Sequence, residues 1–288
     1  MIIDLNKQKN TFFLIFFYSV TILIALISFQ DFGIHIEEKF HRLNGHYWLN
    51  YVSKIFGLSN IQTITSIKIS EISDYSLSAA STYNKYGVVF DLPLAFLEII
   101  FKIENVKDVY YLKHILSFFI FLLSSVFFFK ILFHRFNSFF LSIIGLSLYV
   151  TTPRILGDSF LYKDVLFLSF FMFTFYYLIE STKVFNFKNI IFLSIFTALS
   201  TNLRIFAILI PFFFILIIII KNFHIKNFTQ DLKNIFLYLF FFTFFLYLFW
   251  PYLWSDPINN FLNLFKSVKN DLINVKVFYN NLYISNRM

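Results

Sequence analysis

The feature that most constrains this chain is the recurrence of apolar runs about as long as a bilayer is thick. A helix needs roughly 20 apolar residues to cross the hydrocarbon core, and backbone groups there must bond to one another, so each run is predicted to be helical. The predicted fold is an all-α polytopic membrane protein with about seven transmembrane helices. The runs are residues 12–29, 112–133, 138–152, 159–179, 189–202, 204–220 and 233–250.

Composition supports a membrane protein. Hydrophobic residues make up 58% of the 288 residues and charged residues 14%, against about 45–50% and about a quarter in soluble domains. The absence of cysteine excludes disulfides, thiolate catalysis and cysteine-ligated metals. The first run has no small-residue cleavage site, which favours an uncleaved anchor over a signal peptide. Nucleic acid is a poor explanation for the net charge of +8, because the basic residues lie beside apolar spans.

The distribution of lysine and arginine predicts the orientation, because cytoplasmic loops are enriched in both residues. With the N-terminus in the cytoplasm, the cytoplasmic segments are 1–11, 130–137, 180–188 and 221–233. These segments hold Lys7, Lys9, Lys130, Arg135, Lys183, Lys188, Lys221, Lys226 and Lys233, opposed by Asp4, Glu180 and Asp231. The short outer segments hold only Arg154 and Arg204. We therefore predict a multi-pass protein with a cytoplasmic N-terminus.

This orientation gives the outer side a long first loop, residues 30–111, which holds nine of the 16 acidic residues. Apolar residues at helical spacing predict an amphipathic helix lying on the membrane. They are Ile36, Phe40, Leu43, Tyr47, Tyr51 and Ile55. A second apolar stretch, 88–101, is too short to span comfortably and is predicted to be interfacial or re-entrant. The chain is treated as one domain over residues 1–288, without a repeat or flexible linker.

Charged residues gather on the outer side of this topology. Acids and bases at membrane level are costly unless they face a cavity and pair, so the gathering indicates a polar site. Its acids and bases are Asp31, Glu37, Glu38, Asp91, Arg154, Asp158, Lys163, Asp164 and Arg204, with Lys113 and His114 at the outer start of the second span.

These residues and the topology resemble the GT-C superfamily of integral membrane glycosyltransferases, in particular its protein-mannosyltransferase and dolichyl-phosphate-mannose-type branch. The likeness rests on an acidic pair after the anchor helix, Glu37-Glu38 with Asp31 before it, and on an outer R-x-x-x-D element, Arg154 to Asp158. The third feature of the likeness is the topology, in which a cytoplasmic N-terminus and one span are followed by a large outer loop and many further spans. Related enzymes carry further spans after the region equivalent to 250–288, so the resemblance also implies that later C-terminal spans are lacking.

The resemblance implies transfer of a sugar from a polyprenyl-phosphate carrier to an acceptor on the extracytoplasmic face of a membrane, here expected to be a bacterial inner or plasma membrane. Partners would be membrane lipids, the lipid-linked donor and a glycan, lipid or protein acceptor. A carboxylate would serve as the base, and cations would stabilise the departing phosphate. No cofactor is required.

The same resemblance supplies the expected site residues. Family members carry Asp where this chain has Glu37, so Asp31 and Glu38 remain rival candidates for the base. The catalytic candidates are Glu37, Glu38, Asp31 and Asp158. The substrate-binding candidates are Arg154, Lys163, Asp164, Arg204, Lys113 and His114.

Each candidate also has a structural reading. The acidic pair could complement a helix dipole, and Glu38 could pair with Arg42, four residues on. Arg154 with Asp158, and Lys163 with Asp164, could be local ion pairs, and Arg204 could snorkel to the interface. A divalent metal is a further alternative, because Asp31 with His35, and Glu37 with His41, have the spacing of two ligands on a helix. A lone histidine on a surface helix is more often solvated.

Two other function classes stay open at this level. A transporter or lipid flippase would carry charges along a path through the membrane and broken helices near its middle. A non-catalytic membrane subunit would fit a chain that lacks the later spans of the related enzymes. Neither the sugar nor the acceptor follows from the sequence.

Overall fold

The structure, a computed structural model, describes residues 2–35, 37–72, 85, 87–161, 163–183, 186–225, 228–270, 276–279 and 282–285. These segments are helical, as predicted, apart from one small antiparallel hairpin. The α-helices are α1 (Ile2–Ser28), α2 (Glu38–Ile55), α3 (Ser59–Ile72), α4 (Asp91–Ile100), α5 (Val106–Phe136), α6 (Phe139–Thr151), α7 (Pro153–Leu161), α8 (Asp164–Lys183), α9 (Phe187–Leu203), α10 (Leu209–Ile225), α11 (Phe228–Phe249) and α12 (Pro257–Asn270). Short 3-10 helices, Ile205–Ile208 and Pro251–Leu253, follow α9 and α11. In the hairpin, β1 (Lys276–Tyr279) pairs with β2 (Leu282–Ser285), with Lys276 opposite Ser285.

Four described helices are long and apolar enough to cross a membrane: Asn10–Ser28 of α1, all of α5, all of α8 and Asp231–Phe249 of α11. A fifth crossing is formed if α6 and α7, which meet at a bend of 57°, are one broken span. The two remaining runs that the sequence predicted as spans form shorter apolar helices, α9 and Ile205–Lys221. The described residues therefore provide four to five candidate spans, as in a multi-pass membrane protein.

The connection predicted at 151–158 is helical, which corrects the sequence-based boundaries. Thr152 is extended, with ψ of 118°, because the ring of a following proline disfavours helical geometry. Pro153 itself fits the first turn of a helix, where no N–H is needed. Helix α7 therefore begins at Pro153, and the following span begins at Asp164 rather than at 159.

Helix α9 lies within the bundle, packed against α8 and α11. Leu193 and Ala198 are fully buried there, together with Phe214 of α10 and Tyr238 of α11. The hydroxyl of Tyr238 donates to Thr197 Oγ1 over 3.1 Å, so polar side chains between these helices bond to one another, as membrane interiors require. This packing holds the C-terminal end of α9 in place beside the polar residues described below.

The described part of the loop that the sequence placed at 30–111 contains α2, α3, α4 and the start of α5. The amphipathic helix predicted from Ile36 onward is α2, which begins at Glu38, while Ile36 lies outside the described residues. Its polar side is turned into the protein, whereas Tyr47 and Ile55 of the predicted apolar side are exposed. The polar side is buried because α4 and α5 supply oppositely charged or hydrogen-bonding partners for it.

Helix α4 occupies the stretch 88–101 that was predicted to be interfacial or re-entrant. At 1.5 Å per residue its 10 residues reach about 15 Å, too short to cross a bilayer. Asp91 and Glu98 are buried on one side, and Phe96 and Ile100 are exposed on the other. The position of α4 relative to a membrane remains a prediction.

Candidate functional site

The candidate site lies where α2, α4 and the start of α5 meet. Asp91 and Glu98 are seven residues apart on α4, which places both on one helical face. Helix α2 turns His41, Asn44 and His46 toward that face, and all five side chains are buried. The helices approach closely at Gly45, where a Cβ would lie 2.8 Å from the carbonyl carbon of Asp91. Glycine at this position therefore allows buried acids and histidines to come into contact.

Glu38 joins α2 to α5 and is fully buried. Its Oε1 lies 3.3 Å from His114 Nε2 and 3.6 Å from Lys113 Nζ, and its Oε2 accepts a hydrogen bond from the His35 N–H over 2.9 Å. Burial alone would raise the pKa of Glu38, but His114, Lys113 and the His35 N–H outweigh it and hold the pKa below its ordinary value. Glu38 is therefore an ionised carboxylate between two helices.

Asp91 joins α4 to α2. Its Oδ2 lies 2.9 Å from His41 Nδ1 and accepts a longer bond of 3.4 Å from Asn44 Nδ2. His41 Nε2, on the other side of the ring, is 3.9 Å from Glu37 Oε2. The imidazole therefore links a buried carboxylate to one at the protein surface, an arrangement in which an acid orients a histidine.

Glu98 forms the second contact between α4 and α2. Arg42 donates to both of its oxygens, over 3.0 Å from Nε and 2.6 Å from the terminal nitrogen, and His46 Nε2 lies 3.0 Å from Oε2. Burial raises the pKa of Glu98, but the bonds from His46 and Arg42 lower it to about 2. The pairing of Glu38 with Arg42 suggested by their spacing is therefore wrong, because Arg42 makes a two-pronged contact with Glu98 instead.

Glu37 lies at the accessible edge of this cluster, with its side chain 46% exposed. Its Oε2 is 3.4 Å from Lys163 Nζ, which comes from the connection between α7 and α8. The pairing with His41 is the main cause that lowers the pKa of Glu37 to about 2, burial opposes it, and Lys163 lowers it further. The contact brings the segment before α2 against the start of α8.

Lys163 is largely buried and has a φ of 77°. Burial lowers its pKa, the Glu37 carboxylate opposes this change, and the positive charge of Arg204 lowers it further. Arg204 itself makes an ion pair with Asp164. Two cations, Lys163 and Arg204, therefore lie together beside two carboxylates at one end of α8 and α9.

An apolar groove of about 420 Å³ runs between α8 and α10, and its nearest walls lie about one helical turn along the chain from Lys163 and Arg204. Phe167 at its wall donates its N–H to the Lys163 carbonyl over 2.9 Å, and Ala207 on the other wall donates to the Arg204 carbonyl over 3.0 Å. The lining residues are Phe167, Phe171, Thr174, Phe175, Leu178, Phe206, Ala207, Leu209, Ile210, Phe213 and Ile217. Its volume falls within the usual range for small-molecule sites, and its lining suits a hydrocarbon chain.

Asp31, Arg154 and Asp158 have a different placement. Asp31 follows α1 and is exposed. Arg154 and Asp158 pair with each other along α7 at 2.6 Å, with the arginine side chain 84% exposed. In the described part of the chain, the contacts of this pair are local, in agreement with its structural reading. The fold brings together Glu37 with Lys163, Glu38 with Lys113 and His114, and Asp164 with Arg204.

Among the described residues, no group of three or more His, Asp or Glu side chains has a geometry that could hold a metal ion. Of the two candidate ligand pairs, Glu37 and His41 lie together but turn toward Lys163 and Asp91. In the other pair, His35 Nδ1 accepts a hydrogen bond from the Glu37 N–H over 3.3 Å.

A cavity of about 20 Å³ lies between α2, α4 and α5, lined by His41, Asp91, Glu98, Tyr110 and Lys113 among others. One water molecule needs about 10–15 Å³ and several polar partners. The cavity therefore fits a water molecule and is too small for a sugar.

Sequence reasoning placed Asp91 among the acids of the polar site without giving it a role, considered His41 only as a metal ligand, and did not place Glu98 or His46 in the site. The signal that could have found them is a polar stripe on otherwise apolar or amphipathic helices. Asp91 and Glu98 share a face of α4, and positions 38, 42 and 46 of α2 recur every four residues, with position 41 beside 42. Reading polar as well as apolar periodicity would have predicted that these faces meet.

Comparison with known proteins adds no relative. No protein-family model matches the chain, and neither a curated protein nor a solved structure matches it.

Proposed function

We propose that this protein is an integral membrane glycosyltransferase of the GT-C type. In this proposal it moves a sugar from a polyprenyl-phosphate donor to an acceptor hydroxyl on the outer face of the membrane. The observation that carries the proposal is that Lys163, which contacts the Glu37 carboxylate, and Arg204 each lie about one helical turn from a wall of an apolar groove. A lipid phosphate needs a groove for its chain and cations for its head, and sugar transfer needs a carboxylate near both.

The two ends of a lipid-linked donor fit the two parts of this region. The hydrocarbon chain would lie along Phe167 and Phe206 in the groove between α8 and α10. The phosphate would bind Lys163 and Arg204, since guanidinium and ammonium groups bind phosphate through charge-assisted hydrogen bonds. Their present partners, Glu37 and Asp164, would be displaced when the phosphate binds.

This displacement would activate Glu37. A carboxylate with a pKa of about 2 is a weak base, and a general base works best with a pKa closer to the working pH. When the phosphate takes Lys163, one of the charges that stabilise the ionised form of Glu37 is neutralised, so its pKa rises. The acceptor oxygen then forms the new bond to the anomeric carbon, and the acceptor proton passes to Glu37. The bond from the anomeric carbon to the phosphate oxygen breaks, and its electron pair stays on the phosphate.

The proposed topology has seven crossings with the N-terminus in the cytoplasm. Contacts between helix ends support it: Arg204 after α9 pairs with Asp164 at the start of α8, and Asn202 near the end of α9 donates to the carbonyl of Phe249 at the end of α11. Helix α9 therefore runs antiparallel to α8 and parallel to α11. This is the path expected if α9 and α10 also cross, in a bilayer locally thinned around them.

The test is transfer of labelled sugar from a polyprenyl-phosphate donor to hydroxyl acceptors in membranes that contain the protein. Glu37→Gln is expected to lower kcat by about 10²–10⁴-fold, the usual contribution of a positioned base. Lys163→Met is expected to raise the donor KM by about tenfold or more, as for loss of a charged hydrogen bond.

A matched control is Glu180→Gln, which removes a carboxylate from the Glu180–Lys183 ion pair at the opposite end of α8. It is expected to transfer sugar at the wild-type rate. Wild-type transfer by both site variants would rule out the proposed site. Movement of a lipid-linked sugar across proteoliposomes without a covalent product would favour a flippase instead.

A further inference from the structure

Asn202, the penultimate residue of α9, bonds to two other segments of the chain through its side chain. Its Oδ1 accepts a hydrogen bond from the Val89 N–H over 3.0 Å, and its Nδ2 donates to the Phe249 carbonyl over 3.1 Å. The residue is 2% exposed. An amide buried to this extent needs such partners, and both of them lie at helix ends.

These bonds cap two helices at once. Leu92 N–H donates to the Val88 carbonyl over 3.0 Å, so the helical bonding of α4 reaches back to Val88 and leaves the Val89 N–H without a partner inside the helix. Phe90 at the start of α4 makes no capping bond of its own. Phe249 ends α11, where the last carbonyls also need outside partners. Asn202 therefore performs from α9 the capping that a local side chain usually provides.

The segment before α4 also packs closely against Asn202. A Cβ on Gly87 would overlap the backbone carbonyl and side-chain oxygen of Asn202, so only glycine permits this approach. On the other side, Trp250 Nε1 donates to the Lys85 carbonyl over 3.2 Å, and its side chain is buried. Two polar contacts and one close backbone approach thus fasten the start of α4 to the ends of α9 and α11.

These contacts lie between the two halves of the candidate site. Asp91, two residues after Val89, holds His41 and through it faces Glu37. Arg204, two residues after Asn202, lies beside Lys163 and pairs with Asp164. The half of the site that contains the Glu37 carboxylate therefore depends on α4. The half that contains the cations Lys163 and Arg204 is attached to α9.

We infer that Asn202 is a positioning residue that sets the spacing between the carboxylate half and the cationic half of the site. It touches no reacting atom and acts through the start of α4. The inference rests on the proposed function for its effect on transfer, while its effect on the position of α4 is independent of any activity.

The experiment compares Asn202→Leu and Gly87→Ala with the wild type. The first removes both hydrogen bonds while keeping a similar shape, and the second disturbs the same contact from the opposite side. Asn50→Leu is the matched control, because Asn50 is an amide that joins α2 to α3 through the Gln62 carbonyl and Thr65 and does not fasten α4 to the bundle.

Two readouts are measured. Because the chain has no cysteine, spin labels at Phe96→Cys on α4 and Phe192→Cys on α9, both exposed, report the distance between these helices. In sugar transfer, Asn202→Leu and Gly87→Ala are expected to lower kcat by about 100-fold, the effect of an ångström of misplacement. The donor KM is expected to stay within about threefold, since both cations remain in place.

Both Asn202→Leu and Gly87→Ala are expected to shift or broaden the spin-label distance, and Asn50→Leu is expected to leave it as in the wild type. An unchanged distance in both test variants overturns the inference, as does a kcat loss of the same size in Asn50→Leu. If the wild type transfers no sugar, the proposed function fails, and the distance measurement alone still decides whether Asn202 positions α4.

Discussion

Lys163 is held in a backbone conformation that lysine seldom adopts. Its φ of 77° lies in the left-handed region, which costs a non-glycine residue on the order of 1–3 kcal/mol. Its side chain is also largely buried, beside Glu37. The surrounding helix ends therefore hold a cation at a place that neither its backbone nor its hydration favours.

Gly45 gives the first stability prediction. Alanine is favoured over glycine inside a helix by about 1 kcal/mol, but a Cβ here would press on the backbone of Asp91, and overpacking costs about 1–3 kcal/mol. Gly45→Ala is therefore expected to destabilise the contact between α2 and α4. Gly157→Ala is the control, since nothing lies within 4 Å of its Cβ position, and it is expected to stabilise. Thermal unfolding in nanodiscs measures both, and a raised Tm for Gly45→Ala would contradict the prediction.

Arg42 gives the second stability prediction. Its guanidinium and the Glu98 carboxylate are both buried, at 9% and 1% side-chain exposure, and removal of one partner from a buried pair costs about 3–5 kcal/mol. Arg42→Met is expected to destabilise by this amount in chemical unfolding. Arg154→Met is the comparison, because the exposed pair with Asp158 is worth about 1 kcal/mol or less. Equal losses in the two variants would show that the buried pair has no special role.

Helix α2 is an element whose position depends on buried charge as well as on apolar burial. Three of its residues, Glu38, Arg42 and His41, pair with charged or titratable groups on α4 and α5. Leu43, Trp48 and Leu49 of α2 are buried, while Tyr47 and Ile55 are exposed. An element held in this way is sensitive to pH, whereas α9, held by fully buried leucine and alanine, is not.

The pKa of Glu98 predicts how α2 and α4 respond to acid. It is lowered to about 2 from an ordinary value of 4.5, so the ionised form stabilises the fold above pH 4.5, and that stability is lost as pH falls from 4.5 toward 2. Hydrogen exchange is expected to show loss of protection in α2 and α4 over this range, before the spans open. In Glu98→Gln the acid-dependent step is expected to shrink. Simultaneous opening of α2 and α9 would contradict it.

At the scale of the whole molecule, the contact between Glu37 and Lys163 constrains the threading. Residues 3.4 Å apart lie on one side of a membrane, so the chain between them crosses an even number of times. Helix α5 is one crossing by length and hydropathy. The proposed topology expects the other crossing at α6, which ends at Thr151.

The even number of crossings between Glu37 and Lys163, together with the proposed orientation, predicts how single cysteines react with a membrane-impermeant maleimide. Asp31→Cys and Thr152→Cys, both at exposed positions, are expected to react from outside intact cells. Lys188→Cys, at the start of α9, is expected to react only after the cells are opened. Accessibility of Asp31→Cys and Thr152→Cys from opposite sides would exclude a common outer site.

The sequence by itself determined the helical class and the approximate positions of the longest spans, because apolar run length is a local property. It misplaced the connection at 151–158, where Pro153 begins a helix, and it did not find the meeting of Asp91 and Glu98 with α2. Only the tertiary structure decided those contacts, since pairing between helices about 50 residues apart depends on which faces meet and on whether glycine at 45 and 87 lets them approach. The same is true of Asn202, whose role rests on backbone groups in two other segments, and backbone partners carry no signature in the sequence.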